Sequence, residues 1–136
     1  MKLNFTMSEL LHSDEANRHK INNIPNDKQI LDNLLVLITE CLQPIRNYIG
    51  KPVRITSGHR CKTLNDLPTI RGAKNSQHLT GQAADIVIAG MTPKQVIEKI
   101  IASGIEYDQL INEYNLWAHI SYFKGHNRKQ PPFKIG

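Results

Sequence analysis

The sequence predicts an α+β domain, and three observations carry that expectation. Amphipathic helical segments fill most of the first 50 residues, short strand patterns with one helix among them follow, and 136 residues is the length of one domain. The whole chain, 1–136, is expected to form that single domain, with a basic C-terminal tail over about 124–136. A content of 40% hydrophobic and 21% charged residues, without repeats or low-complexity tracts, excludes a disordered tail, a rod and a disulfide-stapled miniprotein. The longest purely aliphatic stretch, Leu34 to Ile38, falls far short of the ~20 residues a membrane span needs.

Taken in order, Thr6-Met7-Ser8-Glu9 spells a capping box that opens a short helix with Leu10 and Leu11 on its apolar side. Ile21 to Asn26, with Pro25, reads as a loop. Asn26 is the expected cap of a long helix in which Ile30, Leu34, Leu37, Ile38, Cys41 and Ile45 recur at helical spacing. Pro44 is expected to kink that helix, because it lacks a donor and its ring crowds the preceding turn, and Gly50 ends it. Val53 to Thr56 alternates as a strand and closes on a turn at Ser57-Gly58. Cys61 to Gln77 is polar and irregular, long enough to suggest a functional loop. Ala83 to Ile88 reads as a buried strand. Thr92-Pro93-Lys94-Gln95 opens a helix that Gly104 stops, and strands around Gln109–Asn112 and Trp117–Tyr122 follow. Cys41 reads as a small core residue, with a bridge to Cys61 as the alternative.

The net charge of +5 is unevenly spread. Residues 124–136 hold Lys124, Arg128, Lys129 and Lys134 without an acid, and residues 51–74 set six cations against Asp66 alone. Such stretches are either a solvated surface or an attraction to a polyanion, nucleic acid or the acidic bacterial wall. They lack the interleaved aromatics of a single-strand nucleic-acid platform, so no nucleic-acid partner is expected. No apolar run of signal-peptide length precedes Glu9, so the chain is expected to lack an export signal of its own unless one was trimmed.

Asp85 is out of character with its surroundings. It sits inside Ala83-Ala84-Asp85-Ile86-Val87-Ile88, where an ionised carboxylate is costly unless a cation or metal partners it. Alternation puts it on the face of Ala83 and Val87, whose small neighbourhood leaves room for a ligand. His78 precedes the turn Leu79-Thr80-Gly81 and can fold back beside that strand, or lie on the loop surface. His119 interrupts another strand pattern, Trp117 to Tyr122, as a ligand or as a hydrogen-bonded core residue. Two histidines and one carboxylate make a three-ligand set that leaves a position for water, the arrangement of hydrolytic zinc.

Ser76-Gln77-His78-Leu79-Thr80-Gly81-Gln82-Ala83-Ala84-Asp85 fits the pattern S-x-H-x-x-G-x-A-x-D and resembles the zinc D-alanyl-D-alanine peptidases of the M15 type. Tyr107 to Glu113 and Trp117 to Ser121 look like that family's closing strands, and Thr56-Ser57-Gly58-His59-Arg60 is similar to its S-G-[aromatic]-R turn. The resemblance covers about residues 5–130 and is nearest to the short, single-domain bacterial and phage subgroup. It implies a small antiparallel sheet packed against helices, the fold shared with the hedgehog signalling domain. It also implies one zinc ion on His78, Asp85 and His119, with Glu113 as general base and Asp108 as the fallback. Glu113 lies six residues before His119, the spacing of the hedgehog-like branch; the dipeptidase branch has its acid three before, where this chain has Leu116. Arg60 would hold the substrate carbonyl or a terminal carboxylate. Ser76 and Gln77 would bind substrate or close the loop, and Trp117 would wall the cleft or join the core. His59 stands where the family pattern has an aromatic residue. His12, His19 and His126 fall outside every matching motif and are expected on the surface.

The function implied is hydrolysis of an amide bond in peptidoglycan stem peptides, by D-Ala-D-Ala carboxypeptidase or L-Ala-D-Glu endopeptidase action. A non-catalytic zinc-containing recognition module and a phage virion or tail component are the alternatives. A monomer is expected, cytoplasmic until released in the manner of phage or prophage proteins, or else trimmed from an exported precursor.

Overall fold

A computed structural model describes residues 2–136 and shows helices packed on one face of a five-stranded sheet. Helix α1 (Met7–Leu11) starts at the capping box: Thr6 Oγ1 accepts from Glu9 N, and Glu9 Oε1 accepts from Thr6 N. A second short helix, α2 (Asp14–Arg18), is capped by Ser13. At five residues it is too short for periodicity to announce it.

Helix α3 (Lys28–Leu37) is capped by Asp27, one residue beyond the expected Asn26. Its continuation widens into a π-helical turn, Ile38–Leu42, before α4 (Gln43–Ile49) resumes the α-helical path to Gly50. Pro44 accounts for this place. It has no N–H for the Glu40 carbonyl, and a wider turn relieves the clash of its ring with the turn behind it. Leu34, Leu37, Ile38, Cys41, Leu42 and Ile45 remain on the buried side throughout. Cys41 and Cys61 are both free thiols, and burial pushes the Cys41 thiol up, as befits a core residue.

Strands β1 (Arg54–Ser57), β2 (Ala83–Val87), β3 (Leu110–Glu113) and β4 (Trp117–Ser121) form an antiparallel sheet in the order β1-β2-β4-β3. Between β1 and β2 lies the one-turn helix α5 (Lys62–Asn65), and between β2 and β3 lies α6 (Pro93–Ser103) with its Thr92–Gln95 capping box. Ala84, Ile86, Leu110, Ala118 and Ile120 point into the core shared with α3, α4 and α6, which leaves the alternate residues on the opposite face.

The basic C-terminal segment departs from expectation. Phe133–Ile135 forms β5, which joins the edge of the sheet parallel to β3, and Tyr114 N donates to Ile135 O. Three residues after a Pro-Pro pair carry too little alternation to be read as a strand. Lys124 pairs with Glu40 and Arg128 with Asp108, so these cations serve the fold as well as the surface.

Two glycines bring the site's loops against the helices. Gly81 adopts φ +75°, and a Cβ there would lie 2.7 Å from the Ile30 carbonyl oxygen. Gly58 packs so tightly on α1 that a Cβ would collide with the Leu10 main chain. Gly58→Ala is therefore expected to cost about 1–3 kcal/mol through overpacking, read as a lowered midpoint in urea unfolding.

Candidate metal centre

Register places the polar residues. Asp85 of β2 stands directly opposite His119 of β4, and Glu113 of β3 stands opposite Trp117 of β4. All four occupy the face of the sheet that α3, α4 and α6 do not cover. His78 arrives from the turn ahead of β2, held by Gly81 against α3. The result brings together three residues separated by up to 41 positions in sequence, each nearly buried: His78 at 2% exposure, Asp85 at 4% and His119 at 7%.

The donor atoms of this trio lie within 4.8 Å of one another. His78 Nε2 is 3.3 Å from Asp85 Oδ1, and His119 Nδ1 is 3.1 Å from the same oxygen. Those separations fit the edges of a tetrahedron, since metal–ligand bonds of about 2.0–2.2 Å put neighbouring ligand atoms about 3.3 Å apart. The chemistry of the set fits as well. His78 Nδ1 lies 2.7 Å from the Gly58 carbonyl oxygen, and because a carbonyl only accepts, that nitrogen carries the proton. In the neutral ring Nε2 is then a bare lone pair facing a carboxylate. Two acceptors that close, buried together, require positive charge between them, a second proton on the ring or a metal ion. A carbonyl behind a ligating imidazole is also the usual support for a metal-binding histidine.

Electrostatics agree with that reading. Burial works to raise the Asp85 carboxyl, but the charge and hydrogen bonds of His78 and His119 hold it well below the usual carboxylate range. Arg60 lies beside the trio. Burial pushes its guanidinium down from its ordinary value, while the charges of Asp85 and Glu113 oppose that shift. Its Nε is buried with no hydrogen-bond partner, and the side chain lines the cleft. Glu113 is partly buried; Oε1 accepts from Trp117 Nε1 at 2.8 Å, and Oε2 lies 3.9 Å from His119 Nδ1.

These groups open into a cleft of about 920 Å³. Arg60, Ser76, Gln77, His78, Asp85, Glu113, Trp117 and His119, all candidates read from the sequence, line it. Trp117 thus walls the cleft, and its indole also orients Glu113. Asp108, the fallback base, does not line this cleft; its carboxylate is bound by Arg128 and Gln77. His59 is no cleft residue either. It is buried behind His78, with Nδ1 3.2 Å from the His78 carbonyl oxygen, and burial pushes its imidazole down. His12, His19 and His126 are exposed.

Several supports gave little sign in the sequence. Asn23, in the loop before α3, donates to the carbonyls of Leu11 and His59 and accepts from Cys61 N, so it pins the backbone on both sides of Arg60. Asn65, fully buried, donates to the Ala73 carbonyl and its main chain accepts from Gly72, which folds the loop at one rim of the cleft. An asparagine in a loop looks like any turn residue until its partners are in place.

Arg128 grips Asp108 through Nε and Nη2, and its main-chain N–H bonds the same carboxylate, which holds the Asp108 carboxyl below its ordinary value. A depressed carboxyl contributes stability that is complete above the unfolded value near about 4 and is lost as pH falls below it. Asp108→Asn is expected to lose about 1–3 kcal/mol at neutral pH and to show a flatter stability profile between pH 5 and 2 (measured by denaturant unfolding in the presence of chelator).

Comparison with known proteins agrees with the geometry. No match to a curated protein is found. The family description Peptidase M15, however, matches residues 3–121, a span that contains His78, Asp85, His119, Arg60, Glu113 and Trp117. With most of its length inside that match, the chain belongs to the peptidase M15 family.

Proposed function

We propose that the protein is a zinc-dependent peptidase that hydrolyses an amide bond in bacterial peptidoglycan stem peptides. The observation that carries the proposal is the meeting of Glu113, Arg60 and the His78, Asp85 and His119 group in one cleft. When bound, zinc supplies Lewis acidity to a substrate carbonyl and lowers the pKa of water from about 15.7 toward 7.

The remaining work falls to the chain. Glu113 takes a proton from the attacking water and passes it to the leaving amine, and Trp117 holds one of its oxygens so that the other faces the reacting centre. Arg60 offers planar, charged donors to the carbonyl oxygen as that atom gains negative charge. His78 and Asp85 are fixed by Gly58 and by strand pairing, so little reorganisation accompanies the reaction. Arg60, Arg71 and Lys74 border the cleft and favour an anionic peptide, whereas Tyr114, Trp117 and Ile135 give it an apolar side. Ser76 and Gln77 lie where a bound peptide would pass.

Protein purified without chelator is expected to contain one equivalent of zinc by elemental mass spectrometry, and His78→Ala to lose it. Glu113→Gln is expected to keep the metal and lower kcat by about 10²- to 10⁴-fold on defined muropeptides, with products weighed to separate loss of terminal D-alanine from cleavage between L-alanine and D-glutamate. Unchanged hydrolysis in Glu113→Gln would remove the proposed base, and muropeptide binding without hydrolysis by the wild type would favour a recognition module.

A further inference from the structure

Asp108 takes no part in the chemistry described, yet it is 1% exposed and its carboxylate accepts four hydrogen bonds. Oδ1 accepts from Arg128 N at 2.8 Å and Arg128 Nε at 2.9 Å, and Oδ2 accepts from Arg128 Nη2 at 2.7 Å and Gln77 Nε2 at 3.0 Å. Its main chain is held too: Asp108 N donates to Ser121 O, two residues past His119, and Asp108 O accepts from Gln130 N. One residue therefore joins the loop that ends in His78, the end of β4, and the segment that leads into β5.

We infer that Asp108 is a positioning residue: through the Gln77 amide it fixes the loop that carries His78, against a C-terminal segment that it anchors through Arg128.

A ligating atom has to be held to within about 0.5 Å of its working position. The His78 ring is fixed at Nδ1 by Gly58, and its carbonyl accepts from Arg60 N at 3.1 Å. Both restraints come from the β1 side of the loop. On the other side, Ser76 Oγ accepts from His78 N, but Ser76 belongs to the same loop and cannot anchor it. The Gln77–Asp108 bond supplies the anchor from the β3 side. Arg128 is needed because a buried carboxylate bonded only to an amide would be under-partnered. The same grip sets the path of the chain toward Ile135, which lines the cleft, and Gln109 Nε2 reinforces it by donating to Gln130 Oε1. Ligand loop and cleft wall are thereby tied to one side chain.

The inference rests on the metal reading of His78, Asp85 and His119, so the wild-type chain is titrated first, with Co²⁺ by visible absorption and with Zn²⁺ by competition against a chromogenic chelator. No binding by the wild type overturns the metal reading itself. Given binding, Asp108→Asn and Gln77→Leu are each expected to weaken Zn²⁺ affinity about tenfold, the low end of what loss of support behind a ligand costs. The double variant is expected to be no weaker than the poorer single variant, because both break one bond. Full additivity overturns the inference. So does a folded Gln77→Leu protein that binds Zn²⁺ as tightly as the wild type, whether or not its metal-free melting temperature has dropped. Should Asp108→Asn fail to fold, Gln77→Leu decides alone.

Discussion

An imidazole nitrogen pressed against a buried carboxylate is the constraint on which the rest of this molecule depends. His78 cannot turn away from Asp85, because its other nitrogen is spent on the Gly58 carbonyl. Asp85 cannot turn away either, because cross-strand pairing sets it opposite His119. A sheet interior tolerates such an arrangement only with positive charge at its centre, and the histidines' own influence on the Asp85 carboxyl shows how strongly the pocket favours the anion. Gly58 and Gly81 belong to the same requirement. Each lets a loop lie directly on a helix backbone, which shortens the distance from α1 and α3 to the ligand side of the sheet.

Much of this was legible in the sequence because it depends on local pattern. Alternation placed Asp85 and His119 within strands, and an acid or imidazole in an otherwise apolar strand announces itself. The capping boxes at Thr6 and Thr92 and the stops at Gly50 and Gly104 are contained within a few residues, so their spelling suffices. The family motif added what pattern could not, the assembly of His78, Asp85 and His119 into one set. Pairing between distant segments stayed out of reach. The parallel docking of Phe133–Ile135 on β3 joins segments about 20 residues apart, and no periodicity in three residues encodes it. The widened turn at Ile38–Leu42 is another case: Pro44 foretold a disturbance, but the buried side chains of Cys41, Leu42 and Ile45 decided that an extra residue in the turn, and not a break, would absorb it.

Asp108 and Glu113 show how environment divides labour between two carboxylates five residues apart. Both come from the segment leading into and along β3, and the family resemblance made Glu113 the expected base with Asp108 as the fallback. Asp108 is saturated by an arginine fork, an amide and a main-chain N–H, so its lone pairs are committed and its proton affinity is depressed. Glu113 accepts a single indole N–H and keeps an oxygen beside the ligand trio. A carboxylate with a free oxygen can still take up a proton, whereas one saturated with donors serves to hold two chain segments together. The Trp117 indole holds one Glu113 oxygen with a single neutral N–H and leaves the other uncommitted. The three-residue connection from Glu113 to Trp117, with Tyr114 and Asn115 both at positive φ, makes the pairing possible by bringing the two side chains onto adjacent strands directly opposite each other.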